Sequence, residues 1–329
     1  MAEFNHTDGA MASQPNQALP HGHQLLNYRI DKQISSGGFS LVYLAHDENE
    51  LPVAIKEYLP SALVLRESGS LVQASSAENL NVFRYGMKCF FEEGLALARI
   101  AHPNVVRVTN FFRANETVYL VMQYERGRTL QDYILHRRKE IGENFIRRIF
   151  AEMLGGLREV HAHKILHLDI KPSNIYIRLD GSPLLLDFGA ARQTLTQEKS
   201  SLNPMYTPGF AAPEQYGHDR DALGPWTDIY GVGASMFACL SGFAPQAANM
   251  RTEQDKQESV KKLWSGHYSE HLLELIDWCL KLDPLERPQS VFVVQKALLE
   301  KDKVPEVQKK TSLLHSIRNK FSKTKPGDR

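Results

Sequence analysis

HLDIKPSN, residues 167–174, is the stretch on which the reading of this chain turns. It fixes Asp169, Lys171 and Asn174 in one short loop after a helical stretch, and Pro172 stiffens that loop. Upstream, VAIK (residues 53–56) ends a strand on Lys56; alone, this reads as a solvated lysine at a strand edge. Downstream, LLLDFGAAR (residues 184–192) puts Asp187 just after a buried apolar strand. A carboxylate emerging there suits a metal–phosphate complex, because magnesium takes hard oxygen ligands. A fourth stretch, ISSGGFSLVYLA (residues 34–45), nearly matches the glycine pattern of a phosphate-covering loop. Ser35 and Ser40 fill two of its glycine slots and Gly37 keeps the third. Any one of the four is compatible with chance; together they fall in order on suitable elements.

Around them the pattern divides the chain. From Tyr28, YRIDKQI, LVYLAHD and LPVAIKEY alternate as three strands joined by turns. Residues 82–100 carry apolar groups at helical spacing and stop before His102-Pro103. VVRVTNFF and TVYLVMQY follow as two further strands, giving a five-stranded antiparallel sheet with one helix. After a hinge at Gln123–Arg126, amphipathic helices near 143–163, after Trp226 and at 270–282 build a larger helical lobe. Between Lys56 and that first helix, YLPSALVLRESGSLVQASS reads as an inserted hairpin at about 58–80. It is equally readable as decoration and as a partner-sensing element.

Composition is that of an ordinary soluble globular protein, and a net charge of +1 gives no reason to invoke nucleic acid. That balance conceals a basic tail: residues 301–329 carry nine Lys or Arg against three Asp or Glu. In TSLLHSIRNKFSK, Leu313, Leu314, Ile317 and Phe321 form one helical stripe, with Arg318, Lys320 and Lys323 outside it. Such a stripe suits an anionic membrane surface, a partner groove or packing onto the body, and simple disorder is a fourth reading. Residues 1–27, rich in Gln, Asn, His and Ala, show no signal-peptide pattern and are expected to be disordered. His6, His21 and His23 read as solvated rather than metal-binding. Cys89, Cys239 and Cys279 lack motif spacing and read as buried thiols in a reducing, cytoplasmic setting. IYGVGASMFACL, from Ile229, is too short for a bilayer span of about 20 residues and reads as a buried helix.

Over residues 28–300 the four stretches resemble the eukaryotic-type (Hanks-type) protein kinases. The resemblance extends through AAPEQY, TDIYGVGA and LDPLERP, and the phrasing is most similar to the bacterial serine/threonine branch. It implies an α+β bilobal fold, with a small antiparallel lobe at 28–123 and a mostly helical lobe at 124–300. It also implies Mg²⁺- or Mn²⁺-dependent transfer of phosphate from ATP to Ser or Thr of protein substrates, autophosphorylation included. By position, Lys56 would hold the phosphates and pair with Glu93, with Glu92 one residue away as the other candidate. Asp169 would orient the acceptor hydroxyl, Lys171 steady the γ-phosphate, and Asn174 and Asp187 hold the metal. Nucleotide contacts would come from Ile34, Ser35, Gly37, Gly38, Phe39, Val42, Ala54, Lys56, Met122, Gln123 and Tyr124. Thr207, Glu214, Asp228 and Arg287 would build the substrate-docking segment.

Two departures carry expectations of their own. Leu168 replaces the arginine that in many kinases receives an activation-loop phosphate, so activity is expected to depend little on phosphate at Thr194, Thr196, Ser200 or Ser201. Ser35 is expected to stand where the chain turns toward the nucleotide and to loosen ATP binding. The alternative function is a pseudokinase or scaffold that binds nucleotide and regulates a partner through the 58–80 hairpin or the tail.

Overall fold

The computed structural model describes residues 16–66, 69–188, 206–217 and 219–300. The tail stripe, residues 1–15 and the four hydroxyls at 194–201 lie outside these.

Six strands form the small-lobe sheet: β1 (Gln24–Leu25), β2 (Tyr28–Gly37), β3 (Ser40–His46), β4 (Pro52–Tyr58), β7 (Val108–Ala114) and β8 (Thr117–Gln123). Their order is β1-β2-β3-β4-β8-β7, with every neighbouring pair antiparallel. The inserted segment forms only a short hairpin of β5 (Val64–Leu65) and β6 (Gln73–Ala74). It leads into helix α1 (Ala77–Ala98), where Ser76 caps the helix by accepting the Asn79 amide. The helix therefore starts five residues before the apolar pattern does. Its buried face comprises Phe83, Gly86, Phe90, Glu93, Gly94 and Leu97.

The expectation of disorder through residue 27 fails for residues 16–27. Leu19 and Leu25 are buried, Asn16 is buried with its side-chain amide on the Val64 carbonyl, and β1 adds the sixth strand to the sheet. A polar composition concealed two apolar anchors and one asparagine with fixed partners. The half-buried Cys89 also departs from expectation, whereas Cys239 and Cys279 are buried thiols. Burial pushes the Cys279 thiol up to about 12.

The larger lobe contains β9 (Gly127–Thr129), α2 (Leu130–His136), α3 (Glu143–Ala162), β10 (Ile175–Arg178) and β11 (Pro183–Leu185). It continues with α4 (Pro225–Ser241), α5 (Ala248–Glu253), α6 (Val260–Trp264), α7 (Glu270–Cys279) and α8 (Val291–Leu299). The apolar run from Ile229 is the buried helix α4, in which every residue from Thr227 to Leu240 is buried. Among the described residues, no helix is long and apolar enough to cross a membrane. β9 lies so close against β10 that a Cβ at Gly127 would collide with the Ile177 carbonyl, which joins the hinge directly to the strand after the 167–174 loop. An apolar cluster unites Val42, Ala54, Met122, Leu97, Val160 and Phe188 at the junction of the lobes.

Candidate active site

One hairpin positions most of the polar groups. β10 pairs with β11 so that Ile175 faces Leu185, and the Leu186 amide donates to the Asn174 carbonyl at 2.9 Å. The loop before β10 and the loop after β11 are therefore held side by side. Asn174 donates its amide to the Asp169 carbonyl and to Asp169 Oδ2, both at 2.8 Å, and to the Asp187 carbonyl at 3.4 Å. Lys171 Nζ lies 3.1 Å from Asp169 Oδ2 and donates to Thr207 Oγ1 at 2.8 Å. Thr207 Oγ1 is in turn 3.4 Å from Asp169 Oδ1. Carboxylate, ammonium and hydroxyl thus form one triangle at the mouth of the large lobe.

Asp228 underlies this loop. Set in the first turn of α4 and buried, it accepts the backbone amides of His167 at 2.9 Å and Leu168 at 2.7 Å, and meets His161 Nε2 at 2.7 Å. Burial pushes its carboxyl up, but the His161 hydrogen bond and charge, with the charge of His167, bring it to a net position below the ordinary aspartate value. His167 is itself fully buried, meets the Leu186 carbonyl at 2.9 Å and packs at a tilt against Phe188, 4.3 Å between ring centroids. Leu168 takes φ 60°, its amide held by Asp228 and its carbonyl by the Gln215 side chain at 2.9 Å. His161 and Gln215 were not singled out from the sequence. They bear on the loop only through the fold, 67 positions from Asp228 and 47 from Leu168 respectively.

Across the cleft, Lys56 stands on β4 opposite Val42 and Leu120 and is buried. Its Nζ lies 3.1 Å from Asp187 Oδ1 and 5.6 Å from the centre of the Phe90 ring. Glu93 is buried on α1 and shares a recess with Lys56, Phe39, Tyr58, Phe90 and Phe188. Glu92 is exposed and pairs with Lys88 at 3.8 Å. The two adjacent glutamates thus face different surroundings, and only Glu93 shares the Lys56 recess.

The loop at 34–45 corrects one expectation. Ser35 is an exposed residue of β2 paired with Val42, and the chain reverses at Gly38-Phe39 instead. The register shift between Gln33 and Ser35 leaves Ile34 as the bulged, exposed residue. Ala54 faces Met122 across the β4–β8 pair, and Gln123, exposed, pairs with Val53 at the sheet's end. Tyr124 is half-buried against the apolar cluster at the lobe junction.

The segment at 206–217 is anchored by Glu214 and Arg287 in a two-pronged pair at 2.7 and 2.9 Å. Arg287 also donates to the carbonyls of Lys281, Trp226 and Leu282, and Thr227 Oγ1 donates to Glu214 at 2.9 Å. All five N–H groups of Arg287 therefore have acceptors and both Glu214 oxygens accept, which is what a buried ion pair needs.

Residues 28–299 match the protein kinase domain. The chain belongs to the protein kinase family. Among the curated members similar to it are the probable serine/threonine-protein kinase PknB of Lactococcus lactis and the serine/threonine-protein kinase PknA of Nostoc sp.. The first is 30% identical over 221 residues, covering 66% of this chain and 32% of the relative. The second is 28% identical over 292 residues, covering 84% and 47%. The chain therefore spans about a third to a half of the length of these relatives. Among solved structures, the apo form of PpkA-294 superposes with a TM-score of 0.79 at 33% identity, covering 86% of this chain and 99% of that one. The PknI kinase domain of Mycobacterium tuberculosis, at 19% identity and TM-score 0.60, shares the fold. The bilobal α+β architecture of this kinase domain and its kinship with bacterial members agree with the reading of the sequence.

Proposed function

We propose that this kinase domain transfers the γ-phosphate of ATP to serine or threonine hydroxyls of protein substrates. The triangle of Asp169, Lys171 and Thr207, facing the Lys56–Asp187 pair, is the observation that carries the reading. Phosphoryl transfer has a loose transition state, so positioning and charge neutralisation supply most of the rate. Asp169 accepts the acceptor's hydroxyl proton as that oxygen bonds to the γ-phosphorus. The bond from this phosphorus to the bridging oxygen breaks, and ADP leaves. Lys171 neutralises charge on the moving phosphoryl group, and Lys56 holds the phosphates that remain behind.

The Asp187 carboxylate and the Asn174 carbonyl oxygen are hard donors suited to magnesium, and Asn174 already commits its amide group to Asp169 and the Asp187 carbonyl. Bound there, the metal would neutralise phosphate charge. A hydroxyl-bearing partner for Lys171, in Thr207, supports Ser/Thr acceptors. The backbone of Leu168, held by Asp228 and Gln215, supports a loop ordered without an activation-loop phosphate.

The test is a Mg-ATP transfer assay on a generic protein substrate, comparing the chain with Asp187→Asn. Transfer by the unaltered chain and loss in the variant support the reading. Absence of transfer in both folded proteins would favour a scaffold.

A further inference from the structure

The central strands β4 and β8 of the small-lobe sheet are buried on both faces, and the second face lies outside the proposed chemistry. Successive residues of a strand point to opposite sides. Lys56 on β4 faces Phe90 and the lobe junction; Glu57, the next residue, points away and is nevertheless fully buried. Arg66 of the inserted segment and two tyrosines of the sheet surround it. Arg66, also fully buried, grips the Glu57 carboxylate with both guanidinium prongs, one of them at 3.0 Å. Tyr43 and Tyr119 donate to the same carboxylate at 2.7 and 2.5 Å. The remaining donors of Arg66 reach the Gln17 and Ser70 carbonyls, each at 3.1 Å, and its backbone amide donates to Asn16 Oδ1.

Arg66 is thus where three segments meet: the strand that carries Lys56, residues 16–17, and the insertion. From the insertion, contacts continue to two parts of the site. The Ser61 amide donates to the Gly38 carbonyl at 2.9 Å and the Leu59 amide to the Phe39 carbonyl at 2.8 Å, at the tip of the 34–45 loop. Ser75 and Ser76 close the hairpin and begin α1, and Tyr58 stacks on Phe83 and packs at a tilt against Phe90 of that helix. A buried ion pair is often no more stabilising than apolar side chains of equal volume; here the Arg66 fork and the two tyrosine hydroxyls together specify one placement of the Glu57 carboxylate.

We propose that Arg66 is a positioning residue for phosphoryl transfer, fastening Glu57 and the insertion so that Lys56, the loop tip and α1 with Glu93 keep one arrangement. The inserted hairpin then does from within the lobe what an external partner or a phosphate would otherwise do. This rests on the kinase reading above.

Arg66→Met alone leaves the Glu57 charge buried and unpaired, so loss of folding there would mean nothing. The test uses the full chain with Glu57→Gln/Arg66→Met, in which a glutamine carbonyl still accepts a tyrosine hydroxyl, and with Arg66→Lys, which keeps charge but loses the fork. Thermal melting, kcat and KM for ATP per folded molecule, and hydrogen exchange of residues 77–93 are measured together. The expected result is a fall of about tenfold or more in kcat/KM for ATP with faster exchange in α1, in protein folded at the assay temperature. Rates per folded molecule within about twofold of wild type, or unchanged α1 exchange, overturn the proposal. Should the double variant not fold, Arg66→Lys is judged by the same criteria. A wild-type chain that transfers no phosphate would count against the kinase reading, while α1 exchange still judges the role of Arg66.

Discussion

At the residue scale the triangle of Asp169, Lys171 and Thr207 is the most exposed to test. Thr207 supplies the hydroxyl between an ammonium and a carboxylate, and hydrogen bonds to charged groups contribute about 1.5–3 kcal/mol. Thr207→Val is therefore expected to lower kcat about 10–100-fold with little change in KM for ATP, read by steady-state kinetics. A KM effect with unchanged kcat would place Thr207 in nucleotide binding instead. The Glu214–Arg287 pair predicts a different readout. Removing either partner strands the other charge, so Glu214→Ala should destabilise by about 3–5 kcal/mol, measured by denaturant melting. Lys56, Asp169, Asn174 and Asp187 were singled out in the sequence because their short stretches occur together and in order. Arg66 was not. It lies in an insertion with no motif; its partners Tyr43 and Glu57 are 23 and nine positions away, and Tyr119, which shares Glu57, is 62 positions from that glutamate.

Elements show a similar division. Strand alternation located the sheet and helical spacing located α1 and α3, because burial of one face leaves a periodic record, whereas α4, buried on every side, was located by its apolar run. The 16–27 segment left none, since its burial depends on two leucines and one asparagine held by distant backbone. Ser35 shows how a motif can mislead about backbone: its slot belongs to a glycine turn in the pattern but to a paired strand in the structure. With no turn strain to relieve, Ser35→Gly should not lower the KM for ATP and is expected to raise it about twofold, the size of a strand glycine's entropy cost. Tighter binding would restore the steric reading. For the segment beyond Phe188, the expectation comes from Leu168. Alanine at Thr194, Thr196, Ser200 and Ser201 together, with Thr207 kept, should leave most activity. A loss beyond about a hundredfold would show that a phosphate there is required after all.

For the whole molecule, acid sensitivity follows from the buried pair beneath the loop. Burial holds His167 below its ordinary 6.5, so the unfolded chain takes up a proton there that the folded one resists. That contribution is complete above pH 6.5 and is lost as pH falls from 6.5 toward the folded value. Asp228, held below 3.8 despite its burial, contributes stability above 3.8 that disappears as pH falls through its folded value. Melting temperature should therefore fall below about pH 6.5 and fall again below about pH 4. A Tm that rises between pH 7 and 5 would contradict the His167 assignment, and one that rises below pH 4 the Asp228 assignment. The two-lobed layout was legible because its motifs are local, whereas the second buried face of the small lobe depended on chain ends and an insertion meeting in space.

The most direct test of the central claim pairs nucleotide binding with transfer in the same samples. Asp169 is the proposed proton acceptor, and such groups contribute about 10²–10⁴-fold to rate. The unaltered chain should move phosphate from Mg-ATP onto serine or threonine of a protein substrate, identified by phosphoamino-acid analysis. Asp169→Asn should bind ATP comparably and transfer at least about a hundredfold more slowly. Equal transfer by the two proteins, or nucleotide binding without transfer in the unaltered chain, would contradict the account.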